Sequence, residues 1–221
     1  MTGKETKSVI FDMDGVIFDS ERIIIEIWEE FGEKNNIPNM HDVTIRCVGL
    51  NDKATEDVFK EAYGEVFDYQ YFKGEVSKRY HAIADGGKLP LMKGVREILE
   101  YLKKNDYRIA IASSTRTEVV VNQLKAAGIF KYFDKVVCGD MVAHSKPHPE
   151  IFLKAADELE VNITSAIIIE DSFNGIRAAH AAGAKPIMVP DMIEPNDEIK
   201  ELCFKIFDDL NKVKDYLETM E

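Results

Sequence analysis

Cysteine is scarce in this sequence, and its three cysteines stand far apart. Cys47, Cys138 and Cys203 form no CxxC pair and are odd in number. Disulfide frameworks and structural zinc sites need paired, closely spaced thiols, so neither is expected. Residues 1–7 are polar and lack the apolar stretch of a secretory signal. Both features favour reduced thiols and a cytoplasmic protein.

Long apolar runs and an excess of positive charge are also missing. No run approaches the roughly 18 apolar residues that a membrane helix needs. There are 28 Lys and Arg against 40 Asp and Glu, which gives a formal net charge of −12. That charge repels nucleic acid and anionic membrane surfaces, so neither is expected as a partner. A phosphorylated ligand would then depend on locally placed cations.

The chain has no internal repeat or low-complexity tract, and its second part alternates regularly between strands and helices. Strands are predicted at 108–112, 135–138, 166–169, 187–189 and 204–207, and helices at 94–104, 117–127, 149–159, 173–182 and 210–218. The central strands are continuously apolar, which indicates burial on both faces. The predicted fold class is therefore α/β, with a parallel sheet covered by helices on both faces.

The stretch between the first strand and residue 88 has a wholly helical pattern. Apolar residues recur at helical spacing after Ser20, which is a candidate N-cap. Further helices are predicted near 52–63 and 69–83. We predict an α/β core made of residues 1–18 and 88–221, with an all-helical insert at 19–87. An insert that leaves the core at this point can act as a lid.

Two carboxylates follow the first predicted strand. The apolar run Val9-Ile10-Phe11 gives way to Asp12 and Asp14, and Gly15 comes next. An unpaired carboxylate is costly inside a buried strand, but at the strand's carboxyl end it faces the crevice where open α/β sheets bind ligands. A hard cation or a phosphoryl group there would account for both acids.

Three other strand ends carry side chains of complementary chemistry. The run Ser113-Ser114-Thr115-Arg116 offers hydroxyls and a cation at the start of a helix, where anions bind. Lys146 stands in a turn with two prolines that restrict the backbone from which its ammonium projects. Glu170 and Asp171 follow another very apolar strand. Because parallel strands end at one edge of the sheet, these groups are expected to converge.

The converging residue types suit phosphoryl transfer through a covalent aspartyl-phosphate. One carboxylate attacks phosphorus, and a second protonates the leaving oxygen and later activates water. Carboxylate oxygens would hold Mg²⁺, which neutralises charge so that two anions can meet. Hydroxyls and a lysine bind the charge spread over the phosphoryl oxygens. The expected substrate is a small phosphorylated metabolite.

The motifs DxDGVxxDS, Ser113 at a strand end, SKPxPxxF and a strand-end Glu-Asp, in that order, resemble the four motifs of the haloacid dehalogenase superfamily. More narrowly, they are similar to its phosphatases and phosphomutases with a helical cap inserted after the first motif. These form the β-phosphoglucomutase-like and phosphoglycolate-phosphatase-like group. The resemblance covers essentially the whole chain and implies a Rossmann-like core with Mg²⁺ as cofactor.

The resemblance also implies roles for the acidic residues. Asp12 would be the nucleophile and a metal ligand. Asp14 would be the general acid/base, and its backbone carbonyl would also bind Mg²⁺. Asp171 would be a metal ligand, and Glu170 would either bind the metal directly or hold the metal ligands in place.

On the phosphate side, the resemblance implies that Ser113 binds the phosphoryl group and that Lys146 bridges the phosphate and the nucleophile. Further candidates for substrate contacts are Ser114, Arg116 and Asn174.

Three departures from the family pattern bear on the activity. True dehalogenases usually lack an acid at the position of Asp14, so its presence favours phosphate esters. β-Phosphoglucomutases carry a cap histidine where this chain has Ile24, and a cap arginine after a glycine that matches Gly49, where this chain has Leu50. A mutase must hold a bisphosphate at both ends, so these missing cations favour a phosphatase. A β-phosphoglucomutase-type phosphomutase stays open as the alternative, with substitute cations at Lys53, Lys78 and Arg79.

A phosphate-binding module without turnover is the alternative from another class. It has no need for both a nucleophile and an acid/base, so the presence of Asp12 and Asp14 argues against it. A monomer is the default expectation for the assembly.

The remaining conspicuous residues are expected to have structural roles. Trp28 is expected in the core of the insert. Four histidines do not fall at metal-ligand spacing and are expected to be surface or packing residues; they are His41, His144, His148 and His180.

Overall fold

The computed structural model describes residues 7–47, 50, 52–84 and 86–220. Its strands are β1 (Ser8–Phe11), β2 (Arg108–Ser113), β3 (Lys135–Cys138), β4 (Ile167–Glu170), β5 (Lys185–Met188) and β6 (Lys205–Ile206). Its α-helices are α1 (Ser20–Lys34), α2 (Met40–Cys47), α3 (Asp52–Tyr63), α4 (Tyr69–Ala84), α5 (Val95–Lys104), α6 (Thr117–Ala126), α7 (Glu150–Leu159), α8 (Phe173–Ala181), α9 (Asp197–Leu202) and α10 (Leu210–Glu218). No helix among these residues is long and apolar enough to cross a membrane.

The six strands form one parallel sheet in the order β3-β2-β1-β4-β5-β6. Phe11 of β1 is level with Ile111 of β2 and Ile169 of β4, so β4 ends one residue and β2 two residues beyond the end of β1. Every residue of β1 and β4 is buried, as the continuous apolar runs predict. The α/β class is therefore confirmed.

Alternate residues of the central strands face two separate cores. Val9 and Phe11 pack with buried residues of α5, α6 and α10 on one face of the sheet. Ile10 packs with residues of α7 and α8 on the other face. Successive side chains of a strand point to opposite sides, so helices on both faces bury the whole strand. The polar residues that follow the strands lie beyond this buried part, at the edge of the sheet where the carboxyl ends of the strands meet.

Helices α1 to α4 form a helical cap with an aromatic core of its own. The ring centre of Trp28 lies 5.5 Å from that of Phe59 and 5.1 Å from that of Phe72, in edge-to-face contacts. Phe59 and Phe72 are fully buried in this cluster. Trp28 thus packs in the cap core as expected, whereas the exact limits of the insert, 19–87, stay a prediction.

The two chain segments that join cap and core run side by side. Phe18 forms an antiparallel bridge with Leu91, and the Asp19 N–H donates to the Pro90 carbonyl at 3.0 Å. This paired backbone lies directly after the Asp12–Asp14 segment. The residues predicted to do chemistry are therefore next to the connection between core and cap.

Three local predictions differ from the structure. Helices α2 and α9, which are only 8 and 6 residues long, are absent from the predicted elements. Ser20 as N-cap is wrong: Ser20 is the first helical residue and Asp19 is the N-cap. The Asp19 carboxylate pairs with Arg22 at 2.6 Å instead of capping, and the Ser20 side chain is buried.

Candidate active site

Asp12 lies where β1 leaves the sheet. Its N–H donates to the Ile169 carbonyl of β4 at 2.9 Å, which continues the strand pairing one residue past Phe11. The residue is only 7% exposed. Strand pairing therefore fixes the position of the Asp12 backbone, and with it the carboxylate, at the crevice between β1 and β4.

Lys146 reaches this carboxylate from the loop before α7. Its Nζ donates to Asp12 Oδ1 at 2.5 Å, to Glu170 Oε1 at 2.7 Å and to the Ala112 carbonyl at 3.3 Å. The ammonium also lies 5.0 Å from the ring centre of Phe152. Only 8% of the lysine side chain is exposed. A buried ammonium is tolerated here because two carboxylates and a carbonyl surround it.

Glu170 ends β4 and is held by the turn into α8. Its Oε2 accepts hydrogen bonds from the Ser172 N–H at 2.7 Å and the Ser172 hydroxyl at 2.9 Å. The same hydroxyl oxygen caps α8 by accepting from the Gly175 N–H at 3.0 Å. A Cβ atom on Gly175 would overlap the Glu170 carboxylate. The start of α8 thus fixes the orientation of Glu170.

Asp14 lies in the loop after β1 and faces the end of β2. The Thr115 hydroxyl donates to Asp14 Oδ2 at 3.1 Å. The next residue, Gly15, has a φ of +75° and its Cα approaches the Asp171 carboxylate so closely that a Cβ atom would overlap it. Glycine is therefore required both by the backbone conformation and by the close approach of Asp171.

Three of the acids could hold a metal ion. Asp12, Glu170 and Asp171 each offer a carboxylate oxygen, and these oxygens lie within 4.8 Å of one another. Hard, anionic oxygen donors are the ligands that Mg²⁺ prefers. The residues present therefore fit Mg²⁺. Both oxygens of Glu170 already accept hydrogen bonds, from Lys146 and Ser172, whereas Lys146 binds Asp12 through Oδ1, so Asp12 and Asp171 are the freer donors.

The protonation equilibria of the site are displaced by burial. Burial raises the pKa of Asp12 to about 7, although the Lys146 ammonium opposes the rise. Burial and then the charge of Glu170 raise the pKa of Asp171 well above its usual value, and burial also raises the pKa of Asp14. Burial alone would lower the pKa of Lys146, but the neighbouring carboxylates outweigh it and raise this pKa. The crevice thus contains more carboxyl groups than the single ammonium of Lys146 can neutralise.

Ser113 is the last residue of β2 and is fully buried. Its Oγ accepts a hydrogen bond from the Thr115 N–H at 3.1 Å. The neighbouring Ser114 and Arg116 are exposed. No hydrogen bond in the described part of the chain joins the side chains of Ser114 or Arg116 to the carboxylates. Their contacts to substrate remain a prediction.

A cavity of about 270 Å³ opens beside Asp171; it is lined by Glu21, Asp171, Ser172, Phe173, Asn174, Arg177, Met192 and Ile193. Asn174, a predicted substrate contact, therefore lines this cavity. Its Oδ1 accepts a hydrogen bond from Arg177 at 3.1 Å.

A second cavity, of about 430 Å³, lies within the cap; it is lined by Glu21, Ile24, Ile25, Trp28, Thr44, Cys47, Leu50, Thr55, Tyr69 and Lys73. Its walls are mostly apolar. Glu21 lines both cavities and so connects the carboxylate site with the cap. Burial raises the pKa of Glu21 to about 7, with Asp14 and Asp191 adding to the rise.

Sequence reasoning missed Thr115 and Glu21 as parts of the site. Thr115 belongs to the predicted hydroxyl run, but nothing in the sequence shows which of those hydroxyls turns toward Asp14. Glu21 has an ordinary explanation as an acid in the first turn of a helix, where it suits the helix dipole. Only the packing of α1 against the core reveals that it faces two cavities.

Comparisons with known proteins agree with this architecture. The sequence model of the haloacid dehalogenase-like hydrolase family matches residues 9–189. The phosphorylated carbohydrates phosphatase of Thermotoga maritima is 34% identical over 184 residues, which cover 82% of this chain and 83% of that protein.

Solved structures are similar over nearly the whole chain. A β-phosphoglucomutase from Clostridium difficile is 26% identical with a TM-score of 0.70, and the match covers 97% of this chain and 96% of that one. A haloacid dehalogenase family hydrolase from Deinococcus radiodurans, with bound phosphate and sodium, has a TM-score of 0.81 at 23% identity; the match covers 96% of this chain and 95% of that one. The second likeness shows the fold alone. Together they confirm a Rossmann-like core with a helical cap.

Proposed function

The chain belongs to the haloacid dehalogenase-like hydrolase family, in its β-phosphoglucomutase-like group, and we propose that it is a Mg²⁺-dependent phosphatase of a small phosphorylated metabolite. The observation that carries this proposal is the buried Lys146 ammonium held between Asp12 and Glu170, with Asp171 beside them. Three acids around one lysine leave a buried excess of negative charge, which a divalent cation would balance.

In the proposed reaction, Asp12 is the nucleophile. One of its carboxylate oxygens bonds to phosphorus while the bond from phosphorus to the leaving alcohol oxygen breaks, which forms an aspartyl-phosphate. Lys146 orients this carboxylate through its bond to Oδ1 and stays close enough to bind a phosphoryl oxygen. Mg²⁺ held by Asp12, Asp171 and the Asp14 carbonyl would neutralise charge between the two anions.

Asp14 is proposed as the general acid/base. Its carboxyl group gives a proton to the leaving oxygen, and the carboxylate then takes a proton from the water that attacks phosphorus. That second step releases phosphate and restores Asp12. The Thr115 hydroxyl holds Asp14 in place, and the burial that raises the pKa of Asp14 favours its protonated form at the start. The buried Ser113 hydroxyl is the proposed phosphoryl-binding donor.

The cap favours a phosphatase over a mutase. Ile24, which stands where the mutases have a histidine, lines the cap cavity. Lys53, Lys78 and Arg79 pair with cap carboxylates at 3.4, 2.6 and 3.0 Å, and none of the three lines that cavity. Gly49 lies outside the described residues. Lys73 is the one cation among the described residues that line the cavity. A second phosphate would therefore meet a single positive charge in the cap, which supports hydrolysis of monophosphates.

We also propose that the enzyme is cytoplasmic and monomeric. Cys47, Cys138 and Cys203 are free thiols, as in proteins of reducing compartments.

The experiment that tests the proposal is a release assay for inorganic phosphate. An aryl phosphate and a panel of small phosphate esters are incubated with the protein, with and without Mg²⁺. We expect turnover that depends on Mg²⁺. No turnover of any ester by folded protein with Mg²⁺ would favour the non-catalytic phosphate-binding module.

A second assay separates phosphatase from mutase. β-Glucose 1-phosphate is supplied together with a bisphosphate primer, and both products are followed. We expect free phosphate to appear faster than glucose 6-phosphate. The opposite order would identify a phosphomutase.

A further inference from the structure

Three side chains with metal-binding atoms meet on the surface beside the turn that carries Lys146. One ligand atom each from His144, His148 and Glu150 lie within 4.8 Å of one another. The two histidines are exposed, as expected, with 65% and 51% of their side chains accessible. Three residues separate the two histidines, a spacing that zinc ligands also show, and an irregular turn rather than a helix brings them together.

The carboxylate of Glu150 is held in place by the backbone of the same loop. Its Oε1 accepts a hydrogen bond from the Ala143 N–H at 2.8 Å, and its Oε2 accepts one from the His144 N–H at 3.0 Å. These two bonds fix an anionic oxygen at the start of α7. They also lower the pKa of Glu150, so the group is a carboxylate near neutral pH.

The Nδ1 nitrogens of both imidazole rings lie near this carboxylate, and that of His148 also accepts a hydrogen bond from the Glu150 N–H at 3.3 Å. The Nδ1 atom of His144 lies 2.7 Å from Glu150 Oε2, and that of His148 lies 3.9 Å from the same oxygen. The ring centres are 4.5 Å apart. A cation placed among the three ligand atoms would take the place of the hydrogen bond between His144 and Glu150 and of the bond from the Glu150 N–H to His148 Nδ1.

We propose that His144, His148 and Glu150 form a second metal site, for Zn²⁺ or a similar transition-metal ion. Two imidazole nitrogens and one carboxylate oxygen suit such ions, whereas Mg²⁺ prefers oxygen ligands. The site is chemically distinct from the all-oxygen cluster around Asp12. Its exposure leaves room for water on the ion and lets the ion exchange with solvent.

The position of the site gives it a structural effect. Lys146 lies between the two histidines, and the His148 N–H donates to the Ser145 carbonyl at 3.0 Å within the turn. An ion bound to both histidines ties together the two ends of this turn. Because a ligand that binds only the folded state stabilises it, Zn²⁺ should raise the melting temperature.

Calorimetric titration of the full chain with Zn²⁺, in a large excess of Mg²⁺, tests the proposal. The Mg²⁺ occupies oxygen-only sites, and no substrate is needed, so the result is independent of the proposed phosphatase activity. We expect one Zn²⁺ per chain and a higher melting temperature. His144→Gln and His148→Gln should each weaken binding by roughly 10-fold or more, the scale on which metal sites respond to loss of a supporting contact.

His41→Gln is the matched control. The His41 ring also contacts a carboxylate, that of Glu29 at 2.5 Å, but the pair belongs to no three-ligand group among the described residues. Zn²⁺ binding should be unchanged in this variant. In the wild type, nuclear magnetic resonance should show the ring nitrogens of His144 and His148 shifting with Zn²⁺, a readout that does not depend on how the variants fold. Unshifted ring nitrogens, no binding in excess Mg²⁺, or equal weakening in His41→Gln would overturn the proposal.

Discussion

Among single residues, Lys146 has the largest proposed influence because it holds two acids that come from different strands. In Lys146→Met the apolar stem stays and the charge is lost. We expect kcat to fall by roughly 10²- to 10³-fold, as when one donor to a developing charge is removed. The free energy of unfolding should fall by about 3–5 kcal/mol, since Glu170 would stay buried without its cation. Steady-state kinetics and urea unfolding measure the two effects.

Lys154→Met is the matched control for this prediction. Lys154 lies on α7, is 35% exposed and pairs with Glu158 at 4.0 Å. This variant should keep both kcat and stability, because exposed ion pairs contribute about 0–1 kcal/mol. Similar losses in both lysine variants would rule out a special role for Lys146.

A second prediction at the scale of one residue concerns the replacement of Gly15. In Gly15→Ala, the added Cβ atom would overlap the Asp171 carboxylate, and alanine would have to adopt the left-handed backbone conformation of Gly15. We therefore expect loss of both stability and Mg²⁺-dependent turnover. Gly64→Ala has nearly the same φ, +78°, but no atom within 4 Å of the new Cβ. It should cost only the backbone strain of about 1–2 kcal/mol and leave turnover intact. Phosphate release at saturating Mg²⁺ and thermal unfolding compare the two, and full activity of Gly15→Ala would refute the argument.

Among the elements, α10 shows how an acid can stabilise the fold. Asp209 caps α10 by accepting from the Lys212 N–H at 3.1 Å, and it pairs with Lys93 at 2.6 Å. Asp209→Ala should lower the free energy of unfolding by about 1 kcal/mol at neutral pH.

The same residue predicts a pH dependence. The hydrogen bond from Lys93 lowers the pKa of Asp209 below that of the unfolded chain. The stabilisation is therefore fully present above about pH 4 and is lost as the pH falls through the lowered pKa. Urea unfolding of wild type and Asp209→Ala at several pH values should show the difference shrinking below about pH 4. A difference that stays constant at acidic pH would show that the carboxylate charge is not involved.

The sequence predicts the elements well where one physical signal dominates. Continuous apolar runs identify β1, β2 and β4, and because parallel strands end together, they also predict that Asp12, Lys146 and Glu170 converge. Helix α9 has six residues and buries only Ile199, which is too little to leave a periodic signal. Helix α2 does bury residues at helical spacing, Met40, Val43, Thr44 and Cys47, so its pattern was present in the sequence and was missed. Contacts made across turns, such as those of Thr115 with Asp14 and of His144 with Glu150, depend on loop conformation and cannot be derived from spacing.

In the whole molecule, the fully buried side chains of the cap and of the sheet form two clusters that meet at the partly buried Ile23, Tyr80 and Ile83. Because each cluster has its own buried centre, we expect the cap and the core to lose structure separately. Phe72→Ala removes a buried ring whose centre lies 4.6 Å from that of Phe59, at a cost of about 3–5 kcal/mol. Hydrogen exchange should then rise in α1 to α4 and change little in α5 and α7. Leu102→Ala, which opens the cluster under the sheet, should raise exchange in α5 instead. A uniform rise in both variants would mean that cap and core unfold as one unit.

The proposed chemistry rests on a phosphoryl group passing through Asp12. The aspartyl-phosphate can be trapped by quenching the enzyme with acid during turnover of an aryl phosphate with Mg²⁺. The peptides of the quenched enzyme are then analysed by mass spectrometry. We predict the mass of one phosphoryl group on the peptide that contains Asp12, and no such mass and no turnover in folded Asp12→Asn. A phosphoryl group on another peptide, or turnover that survives Asp12→Asn, would contradict the proposed mechanism.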